Sequence, residues 1–117
     1  MSKSRVKSED SVAESWRSVD ICGVQHNIVL KPDIEMPDVL GLCHSDIQQI
    51  WLRSSNTNET MTNILLHECI HAIDHTYHLN MNERQVAVLA TALIAFARAN
   101  PKVSAQLFSL PTQGDAA

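Results

Sequence analysis

Aromatic side chains are scarce in this chain: two Trp, one Tyr and two Phe among 117 residues, so any core it forms has to be mainly aliphatic. Cysteine is nearly as rare. Cys22, Cys43 and Cys69 are odd in number, share no CxxC spacing and stand in apolar contexts, which argues for buried thiols in a reducing compartment rather than a disulfide framework. Clustered positive charge is missing too. The 9 Lys and Arg are scattered against 13 Asp and Glu, a net charge of −4, so binding to nucleic acid driven by counterion release is not expected. The start carries no apolar stretch of signal length, and the longest nearly apolar run, Val86 to Ala97, is interrupted by Thr91. These absences predict a cytoplasmic protein with no nucleic acid and no membrane as partner, and they leave the oligomeric state open.

A chain of 117 residues suits one domain, large enough to bury roughly two-thirds of its unfolded surface. Residues 1–17 are rich in Ser, Lys, Glu and Asp and read as a flexible tail, with a short helix from Asp10 to Arg17 as the alternative; 111–117 read as a second tail. The domain is then 18–110, of α+β class. From Val19 to Leu30 the β-branched and aliphatic residues predict a strand with an irregularity at Gly23, and Ile47 to Arg53 predict another, with a hairpin through His44 to Asp46. Asn56 and Glu59 stand at capping-box spacing ahead of a helix in which Met61, Ile64, Leu65, Cys69, Ile70, Ala72 and Ile73 recur at helical intervals. Leu79 to Asn82 interrupt it. A second helix runs from Glu83 to Ala99, with Val86, Leu89, Ala90, Leu93 and Ala97 on one face, and a shorter one follows from Lys102 to Leu110.

Within the first helix stands His67-Glu68-Cys69-Ile70-His71, an HExxH match. Residues four apart project from one face of a helix one turn apart, so both imidazoles can reach one Zn²⁺ at about 2.0–2.1 Å. Glu68 then stands beside the ion. There it can take a proton from a water attacking a peptide carbonyl and later deliver it to the leaving amine. The aliphatic residues around the motif predict a nearly buried helix, on which two histidines and a glutamate need partners such as a metal.

A catalytic zinc wants a third protein ligand and one open position. His75 extends the i, i+4 series but sits about 12 Å along the helix from His67, too far to share the ion. Asp74 fits better as a carboxylate that orients an imidazole. Glu83 can serve if the second helix folds back on the first, although Asn80 and Glu83 also have capping-box spacing. His78 is the alternative ligand.

The strand, the turn with Gly41, the strand Ile47 to Arg53, the capped helix with HExxH, and Glu83 leading Val86 to Ala90 together resemble minimal gluzincins, zincin-type metallopeptidases of the ImmA/IrrE kind, over about residues 20 to 100. The sequence departs from that pattern in its short His71-to-Glu83 interval and in Cys69 and Ile70 within the motif. The resemblance implies a small zincin-like domain, with a short twisted sheet, an HExxH active-site helix and a packed C-terminal helix. It also implies zinc held by His67, His71 and Glu83, Glu68 as general base, and an extended peptide docked along Ile47 to Arg53 as the edge strand. Such proteins are frequent in phages and mobile elements, where members can cleave repressors. Tyr77, the single tyrosine, is a candidate for stabilising the oxyanion, as a Tyr or His does in some zincins. The expected function is thus a zinc-dependent endopeptidase acting on an extended protein segment. The alternatives are a zinc-stabilised binding module without protease activity and a metal-free helical interaction protein.

Overall fold

The computed structural model describes residues 16–109, so the expected tails, and most of the alternative helix from Asp10 to Arg17, lie outside the described residues. The element order is β1 (Ser18–Ile21), β2 (Val24–Lys31), a 3₁₀ turn (Asp33–Glu35), β3 (Gly41–His44), β4 (Gln49–Arg53), α1 (Asn58–Tyr77), α2 (Glu83–Ala99) and α3 (Pro101–Phe108). The fold is a small α+β domain: one four-stranded mixed sheet with three helices.

The single strand expected from Val19 to Leu30 is instead a hairpin. Cys22 and Gly23 both take positive φ, 54° and 85°, the pair of left-handed residues that a two-residue type I′ turn requires. Asp20 Oδ1 accepts the Gly23 N–H at 2.9 Å and fixes the turn. In the sheet the order is β1-β2-β4-β3, with β2 and β4 parallel and the two outer pairs antiparallel. The expectation that Ile47 to Arg53 forms the edge strand is therefore corrected. Gln49–Arg53 is bonded on both sides, and the edge beside it is β3. A burial reason underlies the order, because Ile50 and Leu52 on β4 have no exposed surface and can be covered only by a central position. The hairpin expected near His44 is present, closed by the turn Ser45 to Gln48.

On one sheet face Ile21, Ile50 and Leu52 meet Met61 and Ala72 of α1, and Leu30, Ile64, Cys69 and Ile73 pack around them. A second cluster joins Ile70 of α1 to Val86 and Ala90 of α2, with Leu66 and Met81 against it. Thus α1 is apolar on two sides. Its N-cap is Thr57, whose side chain accepts the Thr60 N–H at 3.2 Å, one residue later than Asn56; Asn56 instead donates through Nδ2 to the Leu40 carbonyl.

His78, in the left-handed region, ends α1, and its N–H donates to the Asp74 carbonyl. The capping box of α2 is Asn82 with Gln85, each side chain taking the other's backbone N–H. Only Val86 and Ala90 of α2 are buried. Leu89 and Leu93, expected on the core face, keep much of their surface because, among the described residues, only α1 and the short α3 pack substantially against α2. No single helix among the described residues is long and apolar enough to cross a membrane.

Leu52→Ala should cost about 2–5 kcal/mol, the range for a fully buried leucine, whereas Val88→Ala on the open face of α2 should change stability by less than about 0.5 kcal/mol. Urea denaturation of the two variants checks the contrast.

Candidate metal centre

The two apolar stripes of α1 leave a third face free, and that face carries His67, Glu68, His71, Asp74 and His75. The turn after α1 reverses the chain so that Glu83, the first residue of α2, returns to it. Nε2 of His67 lies 2.5 Å from Glu83 Oε1, Nε2 of His71 lies 3.0 Å from Glu83 Oε2, and the two Nε2 atoms are 3.2 Å apart. One donor atom from each of the three residues falls within 4.8 Å of the others, a group that could hold a metal ion. His78 does not join it.

Local sequence explains why Glu83 is available. Its expected competitor, a capping role toward Asn80, is taken by the Asn82–Gln85 pair, so Glu83 keeps its carboxylate for the histidines. Asp74 holds the turn. Its Oδ1 accepts the Met81 N–H at 3.2 Å, and its carbonyl accepts the Leu79 N–H at 3.2 Å, so it fixes the segment that delivers Glu83. That differs from the expected contact with an imidazole.

Glu68 is buried, between the histidine pair and β3. Desolvation, and then the negative charge of Glu83, push its carboxyl up to about 7. Gly41 permits the close approach of β3, since a Cβ there would collide with Ile64 Cγ2 and stand 3.1 Å from Glu68 Oε2. Cys69 points into the sheet cluster and its thiol is pushed up to about 11 by burial, with Cys43 and Glu68 adding to the shift. Burial also raises Cys43. Neither thiol is an activated nucleophile.

The face opens into a cleft of about 670 Å³ between β3 and the C-terminal half of α1, and His71, Glu68 and Glu83 form part of its wall. Arg53 N–H donates to the Leu40 carbonyl, so in the antiparallel alternation Leu42 and His44 bond to β4 while the main-chain groups of Gly41 and Cys43 point to the open edge.

The structure brings together His67, Glu68, His71 and Glu83. It does not bring Tyr77, which is 61% exposed at the end of α1, near Cys22 of the β1–β2 turn. Its position, at the last residue of α1 and on the side of the β1–β2 turn, removes it from the cleft. His75 lines the cleft instead, and its spacing of four from His71 was the signal for it. The contribution of Val39 to the cleft wall had no such signal, because it comes from a loop.

Asp74→Ala should weaken uptake of zinc, used as the probe ion, by about 10-fold, the lower end for groups that position a ligand; Asp74→Asn, which keeps an acceptor oxygen, should retain most of the affinity. Competition with a chromophoric chelator measures both.

A second expectation concerns Glu68 in metal-free protein. Its carboxyl is raised from 4.5 to about 7, so between those values the folded state holds a proton that the unfolded state has lost. Stability should fall as pH rises through that window, by on the order of 2 kcal/mol, and Glu68→Gln should abolish that part of the slope. Urea titrations at pH 5 and pH 8 measure it.

No protein-family model, no curated protein and no solved structure matches this chain.

Proposed function

We propose that the protein is a zinc-dependent endopeptidase that hydrolyses a peptide bond in an extended protein segment. The observation that carries the reading is the convergence of His67, His71 and Glu83 beside a buried Glu68 on the wall of an open cleft. The donor set suits zinc: two imidazoles and a carboxylate are its usual catalytic ligands. Ligand atoms around a tetrahedral zinc stand about 3.3 Å apart, close to the 3.2 Å between the two Nε2 atoms. Glu83, well exposed, has only to draw back by several tenths of an ångström.

When bound, zinc supplies a Lewis acid that polarises the scissile carbonyl and makes water acidic enough to attack at neutral pH. The remaining work falls to the chain's own groups. Glu68 takes the proton as the water oxygen bonds to the carbonyl carbon, then gives it to the amide nitrogen as the C–N bond breaks. Its burial beside the candidate ligands keeps this carboxyl next to the position where the water would stand. The open main-chain groups of Gly41 and Cys43 offer two pairing positions to an extended segment, which would add to the sheet as a fifth strand. This moves the docking edge from Ile47–Arg53 to β3. His75 lines the cleft and Tyr77 does not, so the oxyanion role passes in this reading from Tyr77 to His75. The resemblance to ImmA/IrrE proteases favours a regulatory protein as substrate.

The competing binding module needs a closed metal site, and among the described residues no fourth His, Cys, Asp or Glu joins the three. Elemental analysis should find one zinc per chain, lost in His67→Ala. Glu68→Gln should keep the zinc and lose hydrolysis of unfolded protein substrates by at least about 100-fold, the usual range for a general base. A zinc-loaded wild type no more active than Glu68→Gln would favour the binding module.

A further inference from the structure

Helix α2 is more apolar than its place in the fold requires. From Val86 to Ala97 its one polar residue is Thr91, yet only Val86 and Ala90 of that run are buried, against Ile70 of α1. Ile94 lies on the same side, where it shares a hollow with Thr60 and Asn63 of α1. Most of the remaining circumference meets solvent: Val88 is 56% exposed, and Leu89, Leu93 and Phe96 are 40–44% exposed. A helix that is apolar all round belongs inside a protein, so a neighbour on one side leaves α2 half covered. The pattern continues into α3, none of whose residues is buried and whose Val103, Leu107 and Phe108 stand in water.

The large side chains exposed along α2 and α3 leave on the order of 700 Å² of apolar surface in water. The largest patch on a monomer is usually about 300–600 Å², and each side of a standard interface covers about 800 Å². The area is thus excessive for a free surface and sufficient for an interface. The chain outside the described residues cannot supply the cover, because Met1, Val6, Val12 and Leu110 are the only large aliphatic side chains in 1–15 and 110–117. A bilayer fits poorly. The apolar run of α2 is about 18 Å long against a hydrocarbon core of about 30 Å, α3 leaves α2 at 111° rather than lengthening it, and the only basic residues of α2 are Arg84 and Arg98.

The face is complementary to itself. Ala87, Val88, Thr91, Ala92 and Ala95 line a trough of about 390 Å³, and small residues of this kind let a second helix approach closely. Leu89 and Phe96, two turns apart, form a ridge on the adjoining side of the helix next to Ala92, so one surface carries both the ridge and the trough that an isologous contact needs. Between Gln85 and Arg98 no side chain ionises, so the net charge of −4 does not oppose the meeting of two copies there.

We propose that the protein is a symmetric homodimer whose seam is the open face of α2, packed on the same face of a second copy, with α3 of each copy extending the contact. The α1 and α2 helices of the two copies then form a four-helix layer with the two α2 helices at its centre. Glu83, Val86 and Ala90 share the side of α2 turned to α1, so the seam lies away from the metal centre and leaves both clefts open. In a single copy the seam side chains already stand in water, so changing them alters association rather than the stability of one chain.

Sedimentation equilibrium of the full chain at micromolar concentration tests the seam. Wild type should have twice the 13.0 kDa of one chain. Ala92→Glu should raise the dissociation constant by at least about 100-fold, because it buries a carboxylate without a partner, and Thr91→Lys in the same trough should act likewise. Ile34→Glu, which removes an aliphatic side chain 87% exposed on the 3₁₀ turn, should leave the dimer intact and so separates a seam from general stickiness. Both seam variants place their charge where the single chain has water, so their circular dichroism should match that of the wild type. A wild type of single-chain mass, a dimer that survives both seam variants, or one that Ile34→Glu also dissolves, overturns the proposal. Loss of fold in both seam variants overturns it as well, since the face would then be core. A wild type that stays single and floats with phosphatidylcholine vesicles gives the face to lipid and overturns it too.

Discussion

The position of α1 between two apolar surfaces is the constraint on which the rest depends. Its Met61 and Ala72 side closes the sheet, its Ile70 side holds α2, and these contacts fix the rotation of the helix about its axis. Once that rotation is set, the remaining face can point only into the gap between β3 and α2. His67, Glu68 and His71 occupy that face, so hydrophobic packing aims the imidazoles. The cost is concentrated at one carboxyl group. Burying Glu68 between β3 and the histidines, with the charge of Glu83 nearby, raises its proton affinity.

Backbone conformation supplies the second requirement. Two non-glycine residues in the left-handed region, His78 and Asn80, turn the chain within five residues from one helix into the next. The backbone bonds to Asp74, and the capping box between Asn82 and Gln85, hold that reversal. Glu83 is thereby the first helical residue of α2, with a carboxylate that no cap uses. The short interval from His71 to Glu83 is thus a consequence of a tight turn.

The helices were legible because their signals are local. HExxH spacing, the Asn100–Pro101 stop and the break at Leu79 to Asn82 each act within a turn or two of helix, and each appears where the pattern places it. The sheet was less legible. Whether Cys22–Gly23 bends a strand or reverses it depends on two positive φ values that the residue types permit but do not impose. Which strand lies at the edge depends on pairing across more than twenty residues between β2 and β4, and Ile47 to Arg53 carries no mark of an edge or a centre. Tyr77 and His75 differ by two positions, which on a helix is the difference between two faces; the cleft took His75 because the sheet took the other side.

His67 and Glu83 are separated by only 16 positions, and all three candidate ligands belong to one helical hairpin. The surroundings of Glu68, by contrast, require Gly41, brought in from a strand that pairs with β4. The two parts of the face are therefore separable: a change that unseats β3 would open the surroundings of Glu68 while leaving the three candidate ligands together on their hairpin.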